Sequence, residues 1–509
     1  MIKEILGSNA RRYPERTAIV YKDKRYTFEE LDNRTNRLAN ALIDLGLKKG
    51  DWIAIVADDC IEHIEIFWAG AKTGIITTGL NPSLSEKDYL HHIGNGKASA
   101  VVCSNKYRDK IDSQRSKFEN LKNYILLDDQ IKDYRNYEEL IFSYPSKKPN
   151  VQIDDNDLLY FANTSGTTGL SKQVMHTYKS IFSTTIMDLD AMNYDMRAGG
   201  VNLVAGPLFW GYMIPRVSVL CYHMGCTLVL PENLSPQILL QSIEEGKVTN
   251  MVTGTAFLQQ IMEYKEIDKY DISSLRQIFI FGYFPPEIWQ KAIKIFGNIF
   301  VLAYGSSEFG IISFLPPEDF IFEGPQKKVN RVRSCGREAL CVKARVIDDN
   351  GEDVVPGELG EVIAKGDDMM KGYWNAPEAT AGTIKDGYIY TGDMGTVDED
   401  GYIYLAGRKK DTITTDGKTI LPLEVEEIIL LHPKVNEVTV IGIPDERLGE
   451  AVKAVVIAEQ EDITSDEIIE LCKDNLPDFA VPGSVDFVDR FPKTASGRVQ
   501  RFKLREQYI

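Results

Sequence analysis

The chain is poor in features that would assign it quickly. Its seven cysteines, Cys60, Cys103, Cys221, Cys226, Cys335, Cys341 and Cys472, are odd in number and form no C-x-x-C pair. They read as free thiols in a reducing cytosol, which points to a cytoplasmic protein. Basic charge is short as well: 58 Lys and Arg face 75 Asp and Glu, for a net charge of -17 and a pI near 5.0. That balance excludes a general nucleic-acid or anionic-membrane surface. Long apolar runs are missing, because the most membrane-like stretch, 201–230, is broken by Pro207, Pro215, Arg216 and His223, and no transmembrane segment is expected. The opening MIKEILGSNARRYPER mixes acids and bases and shows no secretory apolar core. Internal repeats, low-complexity tracts and a long Pro/Ser linker are also absent.

What is present is core-forming material. At 509 residues with 43% hydrophobic content, the chain can build two to four folding units. In TFEEL, Thr27 and Glu30 have capping-box spacing, and Leu31, Leu38, Leu42 and Leu45 then fall on one helical face up to Gly46, a natural stop. Trp52 to Val56 reads as a buried strand, 62–73 as a helix and 99–103 as another strand. The β/α rhythm returns in TLVLP (227–231), NMVTG (250–254), QIFIFG (277–282) and IFVLAYG (299–305), suggesting parallel sheets covered by helices. From about Ser334, short strands with Gly turns predict a β-rich part, and the texture changes again near Gly407. Residues 104–148 are charged and weakly periodic.

One stretch has the composition of a phosphate cradle. TSGTTGLSK, Thr164 to Lys172, follows the apolar run LLYFA and precedes QVMHTYKSIFSTTIM, whose apolar spacing reads as helical. Glycine lets backbone N–H groups turn toward phosphate oxygens, hydroxyls donate further hydrogen bonds, and a lysine offsets charge. A Walker loop is excluded. Read from Gly166, that pattern needs Gly where Ser171 stands and Ser or Thr where Gln173 stands. Two further segments look like parts of a site. YGSSE, Tyr304 to Glu308, ends a strand-like run, where open α/β sheets bind ligands, and a glutamate there can ligate a hard cation. TGDMG, Thr391 to Gly395, sets Asp393 in a Gly turn. Taken singly, the first is equally an ordinary strand-to-loop turn and the second a hairpin turn.

Together and in order, these segments resemble those of the adenylate-forming superfamily, which includes acyl-CoA synthetases, peptide-synthetase adenylation domains and luciferase-like enzymes. MKGYWNAPE (370–378), GRKKDTITTDGKTILPLEVE (407–426) and PKTASGRVQR (492–501) complete the match. The resemblance implies an α/β fold: a large N-terminal domain, 1–406, of β/α subdomains plus a β-rich one, a hinge at 407–411, and a small mobile α+β domain, 412–509. It implies that a carboxylate attacks the α-phosphorus of ATP to give acyl-AMP and pyrophosphate, and that the acyl group then passes to a thiol. Thr164, Ser165, Gly166, Thr167, Thr168, Gly169 and Lys172 would hold the phosphates, and Glu308 would hold Mg2+. Gly282, Tyr304, Asp393 and Arg408 would hold adenine and ribose, Lys410 would be the hinge residue and Gly417 would line the thiol path. Lys172, Glu308 and Arg498 would be catalytic.

The chain departs from the family's pattern at several of these places. Arg498 stands where the family's S-G-K segment has its catalytic lysine, and a planar guanidinium is not a conservative exchange for an ammonium point charge. Trp210, Tyr283 and Phe284, with Gly305, would shape the acyl pocket, favouring an apolar fatty or aromatic acid. No FD-x-S segment marks an amino-acid substrate. The expected activity is an AMP-forming carboxylate–CoA ligase using ATP, Mg2+ and coenzyme A, with room for a homodimer. Alternatives are a ligase that loads a carrier protein, a nucleotide-binding relative impaired by Arg498, and a luciferase-like oxygenase sharing the first half-reaction.

Overall fold

A computed structural model describes residues 2–164, 171–192, 196–458, 463–493 and 499–508. The chain forms two compact units. The first comprises the described residues of Met1–Thr164, Leu170–Ala344 and Ala364–Ile389, and the second contains Arg345–Ile363 and the described residues of Tyr390–Ile509. The 407–411 segment expected as a hinge lies within the second unit.

The first unit holds two mainly parallel sheets. One has nine strands in the order Arg337–Glu338, Ser313–Leu315, Phe300–Tyr304, Gln277–Phe281, Asn250–Gly254, Val201–Ala205, Thr227–Leu230, Thr17–Tyr21 and Lys24–Thr27. The other has eight, in the order Gly372–Tyr373, Gln173–Thr177, Leu158–Asn163, Ile76–Gly79, Trp52–Val56, Ala100–Cys103, Asn123–Leu126 and Arg135–Asn136. The central strands are buried along their whole length, as Trp52–Val56 and Asn250–Gly254 show, because helices cover both faces of a parallel sheet. Helices Ile61–Thr73, Tyr178–Ala191 and Met213–His223 send Phe67, Trp68, Ile181, Met187, Ile214, Val217 and Leu220 into one core. Each such side chain contributes roughly 1.5–3 kcal/mol on full burial.

Local sequence signals set several of these elements. Helix Phe28–Asp44 opens on the expected capping box: Thr27 Oγ1 accepts from Glu30 N at 3.2 Å and Glu30 Oε2 from Thr27 N at 2.8 Å. It buries Leu31, Leu38 and Leu42, and Gly46 beyond its end has φ +86°, a conformation that favours glycine.

The structure corrects one expected element. Residues after Lys172 were read as helical throughout, yet Gln173–Thr177 is a strand, antiparallel to Leu158–Asn163 with Asn163 opposite Gln173 and Ala162 opposite Val174. The helix starts only at Tyr178, capped by Thr177, whose side chain accepts from Ser180 N. A sheet edge offering backbone partners outweighs a five-residue helical pattern. The candidate phosphate loop therefore joins two strands of a hairpin.

In the second unit, Val435–Asp445 and Gly449–Ala458 form a long antiparallel pair extended by Ile413–Thr415, Lys418–Ile420 and the parallel strand Ser484–Phe487. Helices Pro422–Ile429 and Ser465–Asn475 pack Val425, Ile429, Ile468 and Cys472 onto Ile413, Val440, Ala454 and Val456. Within the same unit, Asp393–Val397 pairs antiparallel with Ile403–Arg408.

Candidate active site

In the first unit the site is built at strand ends. The hairpin closes just inside the phosphate-loop segment, where Thr164 N donates to Lys172 O at 3.0 Å and Lys172 N to Thr164 Oγ1 at 2.9 Å. The ladder thus fixes where the loop begins and ends. Ser165, Gly166, Thr167, Thr168 and Gly169 lie outside the described residues. Lys172 is exposed, and its Nζ sits 4.6 Å from the centre of the Tyr373 ring, a cation–π distance.

Tyr373 connects that lysine to the second motif, for its hydroxyl donates to Glu308 Oε1 at 2.8 Å. Glu308 follows the Phe300–Tyr304 strand on a turn organised by Ser306. Ser306 Oγ accepts from Glu308 N at 3.2 Å and from Phe309 N at 3.1 Å. From a distant segment, Met370 N donates to Glu308 O at 2.9 Å. Gly305 is required here, because a Cβ would stand 2.0 Å from Gly310 O. The structure brings Lys172, Tyr373 and Glu308 together, with Tyr304 half-buried at the end of the same strand.

The remaining expected residues of this unit fall in different surroundings. Gly282 follows strand Gln277–Phe281 with φ +113°, and a Cβ there would lie 2.5 Å from Thr255 Oγ1. Trp210 lies over Gly206 and Gly254, whose added Cβ atoms would stand 3.6 and 3.5 Å from its ring, and packs against Phe257 at 5.5 Å. Tyr283 is exposed. Phe284 is turned into the core, its ring 5.2 Å from Trp289.

In the second unit, Asp393 and Arg408 stand opposite each other on the ladder and pair through Arg408 Nε and Asp393 Oδ1 at 2.8 Å. Arg408 also donates to Thr391 O at 3.0 Å, and Thr391 Oγ1 donates to Val362 O at 2.6 Å; the Gly turn expected around Asp393 is instead part of the strand Tyr388–Val397, with Gly392 at φ +70°. Lys410 follows in a short 3-10 turn, Lys409–Asp411. Gly417, with φ +72°, follows Asp416 at φ +48° in the two-residue turn between Ile413–Thr415 and Lys418–Ile420. Arg498 lies outside the described residues. On either side of it, Lys493 pairs with Glu437 at 2.6 Å and Arg501 with Glu426 at 2.5 Å.

With this geometry in view, the comparisons are decisive. Residues 6–374 match the AMP-binding enzyme family, and residues 424–498 match the AMP-binding enzyme C-terminal domain. The chain belongs to the AMP-binding enzyme family. It is 30% identical to the long-chain-fatty-acid–CoA ligase FadD13 of Mycobacterium tuberculosis, over 96% of this chain and 94% of that one. It is 29% identical to a feruloyl-CoA synthase of Amycolatopsis sp, over 98% and 97%. Among solved structures, the anthranilate CoA ligase AuaEII in complex with anthranoyl-AMP superposes with a TM-score of 0.88 at 26% identity, covering 100% of this chain and 97% of that one. The α/β fold with a smaller C-terminal domain is that of this family.

Beside the family's motif residues, the site contains groups that sequence reasoning did not single out. Tyr373 lies in the quoted segment MKGYWNAPE, but its link to both Lys172 and Glu308 depends on a pairing between Gly372–Tyr373 and Gln173–Thr177 that no local pattern announces. His176 is buried, its Nε2 2.8 Å from Ser307 O, and burial lowers it to about 4. It therefore stays neutral at physiological pH, a brace for the YGSSE turn.

Proposed function

We propose that this AMP-binding enzyme is an acyl-CoA synthetase, an AMP-forming carboxylate–CoA ligase. The observation that carries the reading is the Lys172–Tyr373–Glu308 arrangement beside the phosphate-loop hairpin. A cation and a carboxylate are linked through one aromatic ring, Lys172 just before the strand Gln173–Thr177 and Glu308 after the strand Phe300–Tyr304. That spacing suits a polyphosphate, with Lys172 offsetting the charge of the departing pyrophosphate while the acid's carboxylate attacks the α-phosphorus. Such a reaction depends on in-line positioning and charge stabilisation more than on a protein nucleophile.

Glu308 suits magnesium. Among the described residues no group of three or more His, Cys, Asp or Glu forms a metal-ligand set, and a hard cation that takes its other oxygens from phosphate and water needs one carboxylate. Magnesium would neutralise phosphate charge there. Asp393 and Arg408 would hold the ribose, and Gly282 and Tyr304 the adenine. Arg498 would contact the α-phosphate in place of a lysine. The second half-reaction would follow reorientation of 412–509 relative to 1–406 about Lys410, bringing Gly417 to the thiol path and passing the acyl group to coenzyme A.

The enzyme would work in the cytoplasm. Its cysteines are unbridged, and among the described residues no helix is long and apolar enough to cross a membrane. A homodimer is checked by light scattering. The reading is tested by AMP release across short, medium, long and aromatic acids, with and without CoA. Release stimulated by CoA for one class is expected. Thioester formation only on a phosphopantetheinyl protein would assign it to carrier loading, and ATP binding without AMP release for any acid would assign it to a non-catalytic relative.

A further inference from the structure

The interior behind the YGSSE turn is charged where an apolar core is the rule. Thr184 and Asp188 lie one turn apart on helix Tyr178–Ala191, and Tyr212 and Arg216 lie one turn apart at the start of Met213–His223. All four are buried, and so is Asp368. Arg216 Nη2 pairs with Asp188 Oδ1, and the guanidinium sits 4.8 and 4.5 Å from the ring centres of Phe279 and Phe281. Asp368 Oδ2 accepts from Ile311 N at 3.0 Å.

The hydrogen bonding of this cluster does not close. Among the described residues, Asp188 Oδ2, Asp368 Oδ1 and the Tyr212 hydroxyl are buried without a hydrogen-bond partner, with the Thr184 side chain beside the last. The groups converge: a Cβ on Gly310 would lie 2.6 Å from Thr184 Oγ1 and 2.7 Å from both Asp368 Oδ2 and the Tyr212 hydroxyl. Each buried acceptor left unmatched costs roughly 1–3 kcal/mol, more when charged. Several in one place call for donors. Burial lifts Asp368 to about 7 and Asp188 to about 6, the latter against the pull of Arg216.

The cluster also touches the site. Gly310 O is the atom that excludes a side chain at Gly305, Gly211 faces Ser307 Oγ, and the His176 ring lies 4.8 Å from that of Tyr212. We propose that Tyr212, Asp188 and Asp368 form the specificity end of the acyl site, and that the acid bears an alcohol or phenol hydroxyl remote from its carboxylate, which hydrogen-bonds there. A cationic tail would meet Arg216 and an anionic one would meet two carboxylates, so a neutral donor fits best. The inference rests on the acyl-CoA synthetase reading and replaces the wholly apolar acid expected from Trp210, Tyr283 and Phe284. A pocket built to bind a hydroxyl rejects the acid lacking it, because its own polar groups are then left unpaired.

The test uses matched acids with and without the hydroxyl, dodecanoic against 12-hydroxydodecanoic and cinnamic against 4-hydroxycinnamic acid. AMP release with CoA and calorimetric binding are measured for each. The full-length wild-type enzyme is expected to favour the hydroxylated member of one pair by about 10-fold or more in kcat/KM and in Kd. Tyr212→Phe keeps the ring against His176 and should collapse that ratio toward one in both kcat/KM and Kd. Asp188→Asn provides a second variant. Equal or better handling of the plain acid in both pairs, or a ratio untouched by Tyr212→Phe, overturns the inference. If no acid releases AMP, the acyl-CoA synthetase reading itself fails, and the binding ratio still decides the inference.

Discussion

Glu308 sits in a turn after the strand Phe300–Tyr304 and Asp393 inside the strand Tyr388–Val397, and their carboxylates are held in different ways. Glu308 is fixed through its own backbone, by Ser306 Oγ and by Met370, and through its carboxylate by Tyr373. Asp393 N likewise donates to Thr391 Oγ1 at 3.0 Å, but its carboxylate pairs with Arg408, whose side chain is 40% exposed against 14% for Asp393. An ion pair that open to water contributes about 0–1 kcal/mol. The Glu308 carboxylate is thus held by the buried Tyr373, whereas the Asp393 carboxylate is held by an arginine open to water.

The comparison can be broken most forcefully at Glu308. Glu308→Gln keeps an acceptor for Tyr373 and should leave Tm little changed, but AMP release should fall roughly 10²–10³-fold; a loss under about tenfold breaks the claim that this carboxylate is preorganised for chemistry. Next comes Arg498→Ala, expected to lower ATP–pyrophosphate exchange about 10²-fold. Exchange equal to wild type removes Arg498 from the reaction. Tyr373→Phe deletes one hydrogen bond to a charged group while keeping the ring under Lys172, and kcat/KM for ATP should drop roughly 10-fold. An unchanged value would mean that Ser306 and Met370 suffice. Arg408→Gln should raise the KM for ATP only a few-fold and cost under about 1 kcal/mol of stability by urea unfolding.

The smallest effect concerns Asp368, behind the same turn. Its folded-state pKa is raised by burial to about 7, above the unfolded value near 3.9, so the folded state holds a proton that the unfolded state has released. Its contribution is present below about pH 4 and is lost as pH rises toward 7. Compared with Asp368→Asn, which does not titrate, the wild type should therefore lose more Tm between pH 5 and pH 8. Parallel pH profiles would contradict this.

Much of this was legible in the chain itself. The capping box before Phe28–Asp44 and the buried strands Trp52–Val56 and Asn250–Gly254 follow from local patterns that agree with their tertiary setting. Gln173–Thr177 was misread because its apolar spacing suits a helix, and only pairing with Leu158–Asn163 decides otherwise. Tyr373 escaped for a related reason: its role exists only once a strand from residue 372 lies beside one from residue 174. Motif spelling singled out Lys172 and Glu308, which Tyr373 links, and Asp393 and Arg408, which pair with each other. Phe284, singled out for the acyl pocket, is buried against Trp289. The charged cluster of Asp188, Arg216 and Asp368 could not be read at all, since its members come from three separate segments with no shared motif.

If the enzyme makes an acyl-adenylate with Glu308 at its phosphate site, acid must trigger the reversal of pyrophosphate release, and that carboxylate must be needed for it. The most direct measurement is acid-dependent exchange of labelled pyrophosphate into ATP without CoA, for wild type and Glu308→Gln. Exchange is expected to appear only when a suitable acid is added and to fall about 10²-fold or more in the variant. Exchange absent for every acid, or equal in the two proteins, would contradict it.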